Sequence, residues 1–412
     1  DTPVYLTHAS GHAAIANDAA LEKAGIGANT PDPQGGTIVR DAQGRATGVL
    51  LETAEGLVQD AIESSQSDMS AEQRRERNRK QVRLAAENAL AHGVTSFHDQ
   101  GAAFETIELY RTMAEEGALG IRMYAMVSQG EVTPETQDSL AALRTVGAAD
   151  HHFTVRTIGE VTVDGALGSR TAWMLKPYND APGETGTNVT SMDRVRQIAN
   201  IAREENYQLA VHAIGDRANR ESLDLFASQF EKADGDGESL RWRIEHAQHL
   251  HPDDIPRFAD LGVIASMQAI HACSDAPYNH KRLGNERVQQ GAYVWKTLWE
   301  DGVVVANGTD VPVEKIDPLA SLHCTVTRSV QGTDTTFTED ETLSPRRALK
   351  SYTVNNAYAA FAEDVRGTLT PGKLADVAVL SENILDGPPD AMKSADVTHT
   401  IVGGEVRYEQ GQ

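Results

Sequence analysis

The stretch QLAVHAIGDRA, residues 208–218, decides how the rest of the chain is read. Its short apolar run Gln208–His212 reads as a strand that ends on a histidine, and a loop with Gly215 and Asp216 follows. Working outward, the same kind of run recurs at Val94–His98, Ile121–Val127, Phe153–Val163, Trp242–Glu245, Gly262–Gln268 and Val303–Asn307. Between these runs lie amphipathic stretches rich in Ala, Leu and Arg, such as Ala71–His92, Ser191–Asn206 and Arg217–Lys232. Strands alternating with helices predict βαβ units and a parallel sheet. The expected class is α/β, a TIM-like (β/α)8 barrel with seven strands legible. A chain of 412 residues is long enough for such a barrel plus insertions.

The flanks read differently. His12 to Gly25 looks helical, with Gly25 as its stop. Thr37–Leu51 looks like a hairpin turning at Asp41-Ala42-Gln43-Gly44. Residues 1–60 are therefore expected to form an excursion between barrel strands, within a barrel domain of residues 1–360. Pro345–Ala360 predicts a helix with Ser344 as cap and a first-turn proline. Short strands in Gly367–Leu380 and Thr398–Tyr408 predict part of a small β-structure over residues 361–412.

Composition narrows the function classes. The net charge of −23 disfavours nucleic acid and anionic membranes as partners. No run approaches the roughly 20 apolar residues of a membrane span. Cys273 and Cys324 form no CxxC pair, so a thiolate zinc site is not expected, and one bridge between them is left open. The chain starts at Asp1 rather than Met. A cytoplasmic location is the expectation, with an export signal left open.

In a barrel of this type, chemistry sits at the C-terminal ends of strands. Three such ends carry metal-ligand residues: His212, His246 in WRIEHAQHL and Asp310 in VVVANGTDVPV. Imidazole with carboxylate suits zinc and related divalent ions. Each residue alone has a structural reading; the set at successive strand ends points to a metal. Glu160 shares strand parity with Asp164 and is a fourth candidate ligand, against the alternative of a buried arginine partner. Weaker candidates for substrate binding are His12, Arg170, Gln268 and His271, with a loop salt bridge as the rival reading of Arg170. His98 reads more readily as a strand-end cap than as a functional residue, and His249 and His251 as exposed loop residues. No GxSxG elbow or P-loop is present.

The strings SGHAAIAND, GVLLETA, HGVTSFHDQG, VDGALGSRTA, LAVHAIGDRA, RIEHAQHL, ASMQAIHACSDAPY, NGTDVPV and GKLADVAVL span nearly all of the chain. Together they resemble the amidohydrolase superfamily and, more narrowly, amidohydrolase family 3, the group containing N-substituted formamide deformylase-like enzymes. The resemblance implies that His212 and His246 are the fifth- and sixth-strand ligands and Asp310 the eighth-strand carboxylate. It implies Glu160 where many relatives carry a carboxylated lysine. The family's first-strand HxH pair has no counterpart here, because His8 and His12 are four apart; the expectation is a chain that begins after that strand. The C-terminal strands would then form part of a small β-sandwich. The implied activity is hydrolysis of a non-peptide carbon–nitrogen bond in a small molecule, with one or two divalent ions, zinc first. Asp310 would act as general acid/base. The alternatives are a degenerate, regulatory barrel, or a deaminase or ester hydrolase on the same site. A homodimer is the expected oligomer from base rates.

Overall fold

The computed structural model of the protein describes residues 2–8, 11–65, 69–233 and 237–411. Four N-terminal strands, β1 (Tyr5–Thr7), β2 (Ala13–Ala16), β3 (Gly36–Arg40) and β4 (Ala46–Glu52), form an antiparallel layer in the order β1-β2-β4-β3. The central sheet follows: β5 (Ser96–Ala102), β6 (Arg122–Val127), β7 (Thr145–Gly147), β8 (Phe153–Thr162), β9 (Gln208–Ala213), β10 (Arg243–His246), β11 (Ile264–Met267) and β12 (Val305–Asn307). Seven of these run parallel in the order β5-β6-β8-β9-β10-β11-β12, and β7 pairs antiparallel with β8. β13 (Val377–Leu380), β14 (Val397–Val402) and β15 (Glu405–Glu409) make a separate antiparallel sheet.

The parallel sheet is curled. Three strands separate β5 from β10 in the sheet, which in a flat sheet puts them about 19 Å apart at the usual strand spacing. Yet Gln100 Nε2 on β5 donates to Glu245 Oε2 on β10 at 3.4 Å. His98 Nδ1 and Arg243 Nη1, on the same two strands, are also 3.4 Å apart. Those contacts cross the interior of a TIM-like α/β barrel. All seven strands read from the sequence are present.

The helices pack outside because each has one apolar stripe. Met192–Glu204 starts where Ser191 accepts the N–H of Arg194, and it buries Val195, Ile198, Ala199, Ile201 and Ala202. Ala71–Ala91 opens on a capping box between Ser70 and Gln73. Asp216–Lys232 lays Phe226 and Phe230 against Trp242, with ring centroids 5.1 and 5.3 Å apart.

Several local expectations need correction. The helix expected over His12 to Gly25 is a strand and then a short helix. Ala13–Ile15 pair with Val49–Leu51 of β4, and Asn17 then caps the helix Asp18–Lys23 through the N–H of Ala20. Pairing with a neighbouring strand overrides the helical preference of the alanines. The helix expected over Pro345–Ala360 is two, Pro345–Tyr352 and Val354–Ala359, divided at Thr353. Asn356 there bonds both the N–H and the C=O of Asn307 at the end of β12. Cys273 and Cys324 form the bridge that the sequence left open, joining the helices Ile270–Leu283 and Pro318–Thr327.

One buried ion pair ties the C-terminal sheet to the barrel. Arg122 at the start of β6 meets Asp376 through Nε at 2.7 Å and Nη2 at 2.9 Å, with side chains 1% and 7% exposed. Its Nη1 donates to Asp150 O. Removing one partner leaves a charge buried and unpaired, at a cost of about 3–5 kcal/mol. Arg122→Leu is therefore expected to lower the urea unfolding midpoint by that amount of stability. The Arg122→Leu/Asp376→Leu double variant should recover most of the loss; a double variant as unstable as the single would contradict this account.

Candidate metal centre

Three adjacent strands bring three ligand-type side chains together. Glu160 lies on β8, His212 on β9 and His246 on β10, all toward the C-terminal ends. β8 and β9 lose register between Ile158 and Val161, a bulge that re-aims Glu160. Gly159 makes that bulge possible, because a Cβ there would sit 2.7 Å from the Cβ of Ala210 on β9. Glu160 Oε1 is then 3.2 Å from His212 Nδ1, and Oε2 is 3.8 Å from His246 Nε2. One donor atom from each of the three residues lies within 4.8 Å of the others. Glu160 thus faces two histidines rather than a buried arginine; Arg243 pairs with Glu245 instead.

The protonation states suit a cation. Burial pushes His212 down to about 3 and His246 down to about 4, with neighbouring histidines adding to the effect. Both imidazoles are therefore neutral at pH 7, the form that binds metal. Burial raises the pKa of Glu160, and a divalent cation among these groups is the charge that would hold it ionised. His212 Nε2 is buried without a hydrogen bond, 3.6 Å from Asp164 Oδ1. Gln268 fixes the other ring: its Oε1 is 2.6 Å from His246 Nδ1, while its Nε2 donates to Ser266 O. Nδ1 of His246 therefore carries the proton, and Nε2 presents a lone pair toward Glu160. These residues fit a divalent metal.

Asp310 follows β12 and joins the cluster from the other side. Its Oδ2 accepts from His271 Nε2 at 2.9 Å, and His246, His271 and Asp310 form a second group of converging donors. Burial works against the Asp310 carboxylate, but the His271 hydrogen bond and the nearby histidines outweigh it and hold its pKa well below the usual carboxylate range. For His271 burial also opposes the charge, yet hydrogen bonds to Asp310 and Glu314 raise it to about 10. His246 and Asp310 hold φ of 69° and 57°, left-handed values that few non-glycine residues adopt. Glu160, Gln268 and Asp310 are among the residues lining a cavity of about 1140 Å³ that runs between β5 and the Asn307–Val311 segment and on to Tyr352, Arg366, Leu374 and β13 of the C-terminal sheet.

The remaining candidates divide. His12 stands beside the cluster, its ring 5.1 Å from that of His212. Arg170 is held by Asp180 through Nε at 3.2 Å and Nη2 at 2.8 Å, the loop salt bridge of its rival reading. His98 lies inside the barrel against Tyr124 rather than among the ligands. His249 is buried against Tyr293, not exposed, because the loop after β10 folds back so that its N–H meets Ile214 O. Asp164 accepts N–H groups from Trp173, Ile214 and Gly215, clamping the loops after β8 and β9. Glu52 and Glu314 were not singled out from the sequence. Glu52 lies inside the quoted GVLLETA string, but Glu314 had no pattern to mark it.

Comparison with known proteins agrees with this geometry. The model of the amidohydrolase family matches residues 1–408. Protein LONG AFTER FAR-RED 3 of Arabidopsis thaliana is 33% identical over 98% of this chain and 69% of its own length. N-substituted formamide deformylase of Arthrobacter pascens is 27% identical over 100% of this chain and 74% of its own. A crystal structure of an uncharacterized metal-dependent hydrolase from Pyrococcus horikoshii aligns with a TM-score of 0.69 and 28% identity, covering 90% of this chain and 70% of that one. The barrel, the metal-ligand cluster and the match along the chain lead to one assignment: this protein belongs to the amidohydrolase family, and within it to amidohydrolase family 3.

Proposed function

We propose that this protein hydrolyses the carbon–nitrogen bond of small non-peptide amides, with Asp310 as general acid/base. The observation that carries the reading is the placement of an ionised Asp310, oriented by His271, beside the Glu160/His212/His246 cluster. The name of the Arthrobacter relative, a deformylase of N-substituted formamides, supports the choice of bond. Zinc is the proposed ion, because two neutral imidazoles and carboxylates are a common zinc donor set. When bound, it supplies a Lewis acid that lowers the pKa of water and polarises a carbonyl.

The protein's own groups do the rest. Asp310 takes a proton from the attacking water and returns it to the leaving nitrogen, which must be protonated to depart as an amine. His271 holds the Asp310 carboxylate in place. Gln268 fixes the tautomer of His246. The cavity beside these groups has room for a small molecule.

Asp310→Asn is expected to lower turnover of 4-nitroformanilide, a chromogenic N-substituted formamide, by about 10³-fold or more, as loss of an essential proton-transfer group does. It should remain folded by circular dichroism, at a melting temperature lowered by loss of the His271–Asp310 pair. Undiminished turnover would remove Asp310 from proton transfer. Chelation should abolish activity and added zinc should restore it. His212→Ala and His246→Ala should each reduce bound metal per chain by elemental analysis, and an active metal-free preparation would sink the mechanism.

The His271–Asp310 pair also predicts a pH response in the metal-free protein. The folded pKa of His271, about 10, lies above the ordinary value of 6.5, so its stabilisation is complete below 6.5 and is lost as pH rises through 10. The melting temperature of metal-free wild type should fall from about pH 6.5 to about pH 10. His271→Gln should be less stable at pH 7 and lack this part of the fall; equal pH dependence in the two proteins would contradict the assignment.

A further inference from the structure

The N-terminal layer reaches the metal centre through His12, and its local structure is built around that contact. β4 ends at Glu52, whose backbone holds φ 54° and ψ −131°, a region rarely occupied by residues other than glycine. Glu52 is 8% exposed. Its Oε2 is 2.8 Å from His12 Nδ1, and its Oε1 is buried without a hydrogen-bond partner. The backbones are tied as well, since Glu52 N–H donates to His12 O at 3.3 Å. Ring contacts then run from His12 to His212 at 5.1 Å, from His212 to His246 at 4.5 Å and from His246 to His271 at 6.1 Å. His12 stands at one end of this chain and the partner of Asp310 at the other.

The barrel provides a seat for this arrangement. A Cβ on Gly165, in the loop after β8, would lie 2.1 Å from Glu52 Oε1 and 2.3 Å from Thr171 Oγ1. A Cβ on Gly35, which has φ +78°, would lie 2.4 Å from Val189 O in a barrel loop. The layer therefore meets the barrel at two close approaches, one of them at Glu52 itself.

We propose that His12 contacts the bound substrate and that Glu52 is the positioning residue that aims it, so the N-terminal layer supplies part of the active site and does not only cover it. This rests on the hydrolase reading above for its chemistry, but its placement is tested separately. In the full-length, zinc-loaded protein, His12→Ala, Glu52→Ala, their double variant and Glu52→Gln are compared with wild type. Binding of acetohydroxamate, a small metal-directed carbonyl analogue, is measured by calorimetry, and turnover is measured on 4-nitroformanilide. Each alanine variant is expected to weaken acetohydroxamate by about tenfold and to lower kcat/KM by about 10- to 100-fold at unchanged zinc content. The double variant should be no worse than the worse single, because the two residues act as a unit. Glu52→Gln keeps an acceptor for His12 and should recover most of the loss. Gly165→Ala, which displaces the Glu52 carboxylate, should behave like Glu52→Ala. Unchanged acetohydroxamate binding in His12→Ala would overturn the proposal. So would additive losses with faster hydrogen exchange across residues 36–56, which would mark a purely structural contact. Wild type that binds acetohydroxamate but hydrolyses no amide would defeat the hydrolase reading, and the binding comparison would still decide the role of His12.

Discussion

Three buried or half-buried ligand-type groups converge within 4.8 Å at the mouth of the barrel, and desolvation is the constraint that shapes everything near them. Removing a carboxylate and two imidazoles from water disfavours every charged form. The histidines respond by staying neutral, which is the state a metal requires. The carboxylate cannot respond in that way without losing the charge that would attract a cation. The surroundings therefore have to hold each group by geometry: a bulge in β8 for Glu160, Gln268 for His246, and the Asp164 loop clamp beside His212.

The parallel barrel meets this demand well. Neighbouring parallel strands deliver side chains from successive strand ends to one rim, so β8, β9 and β10 place three groups side by side without a long loop. Asp310 arrives from beyond β12, and the curl of the sheet brings it back to the same rim. The helix Ile270–Leu283 contributes His271 near its start, and the Cys273–Cys324 bridge two residues later joins that helix to Pro318–Thr327. The element that orients Asp310 is thus covalently tied to its neighbour.

The outer layers attach through buried polar contacts, and the C-terminal layer also through an apolar one, Ile384, Met392 and Ala395 against Leu322 and Ala348. The C-terminal sheet uses the Arg122–Asp376 pair and the Thr400 hydroxyl on Leu90 O. The N-terminal layer has its own small core around Leu21, Ile38, Leu50 and Val58, and it meets the candidate metal centre through His12 and Glu52. Such contacts impose orientation, because a buried charge tolerates few alternative partners.

By itself the sequence determined the α/β alternation, the seven parallel strands and the residues at their ends. These follow from local patterning: short apolar runs, amphipathic spacers, and polar residues where a strand meets its loop. It also pointed to His212, His246, Glu160 and Asp310 as one set, since strand-end position and family resemblance agree. The His12–Gly25 segment was misread as helix because Ala-rich sequence favours helix until a partner strand is present, and that partner, Val49–Leu51, lies more than thirty residues away. His249 was misread as exposed because only the folded-back loop buries it. Tertiary structure alone decided that Glu160 faces histidines and not an arginine, that His271 grips Asp310, that Arg170 is committed to Asp180, and that Glu52 holds His12. Each of these is a pairing between side chains distant in sequence or turned by loop geometry, and strand or helix periodicity carries no information about which partner a side chain will meet.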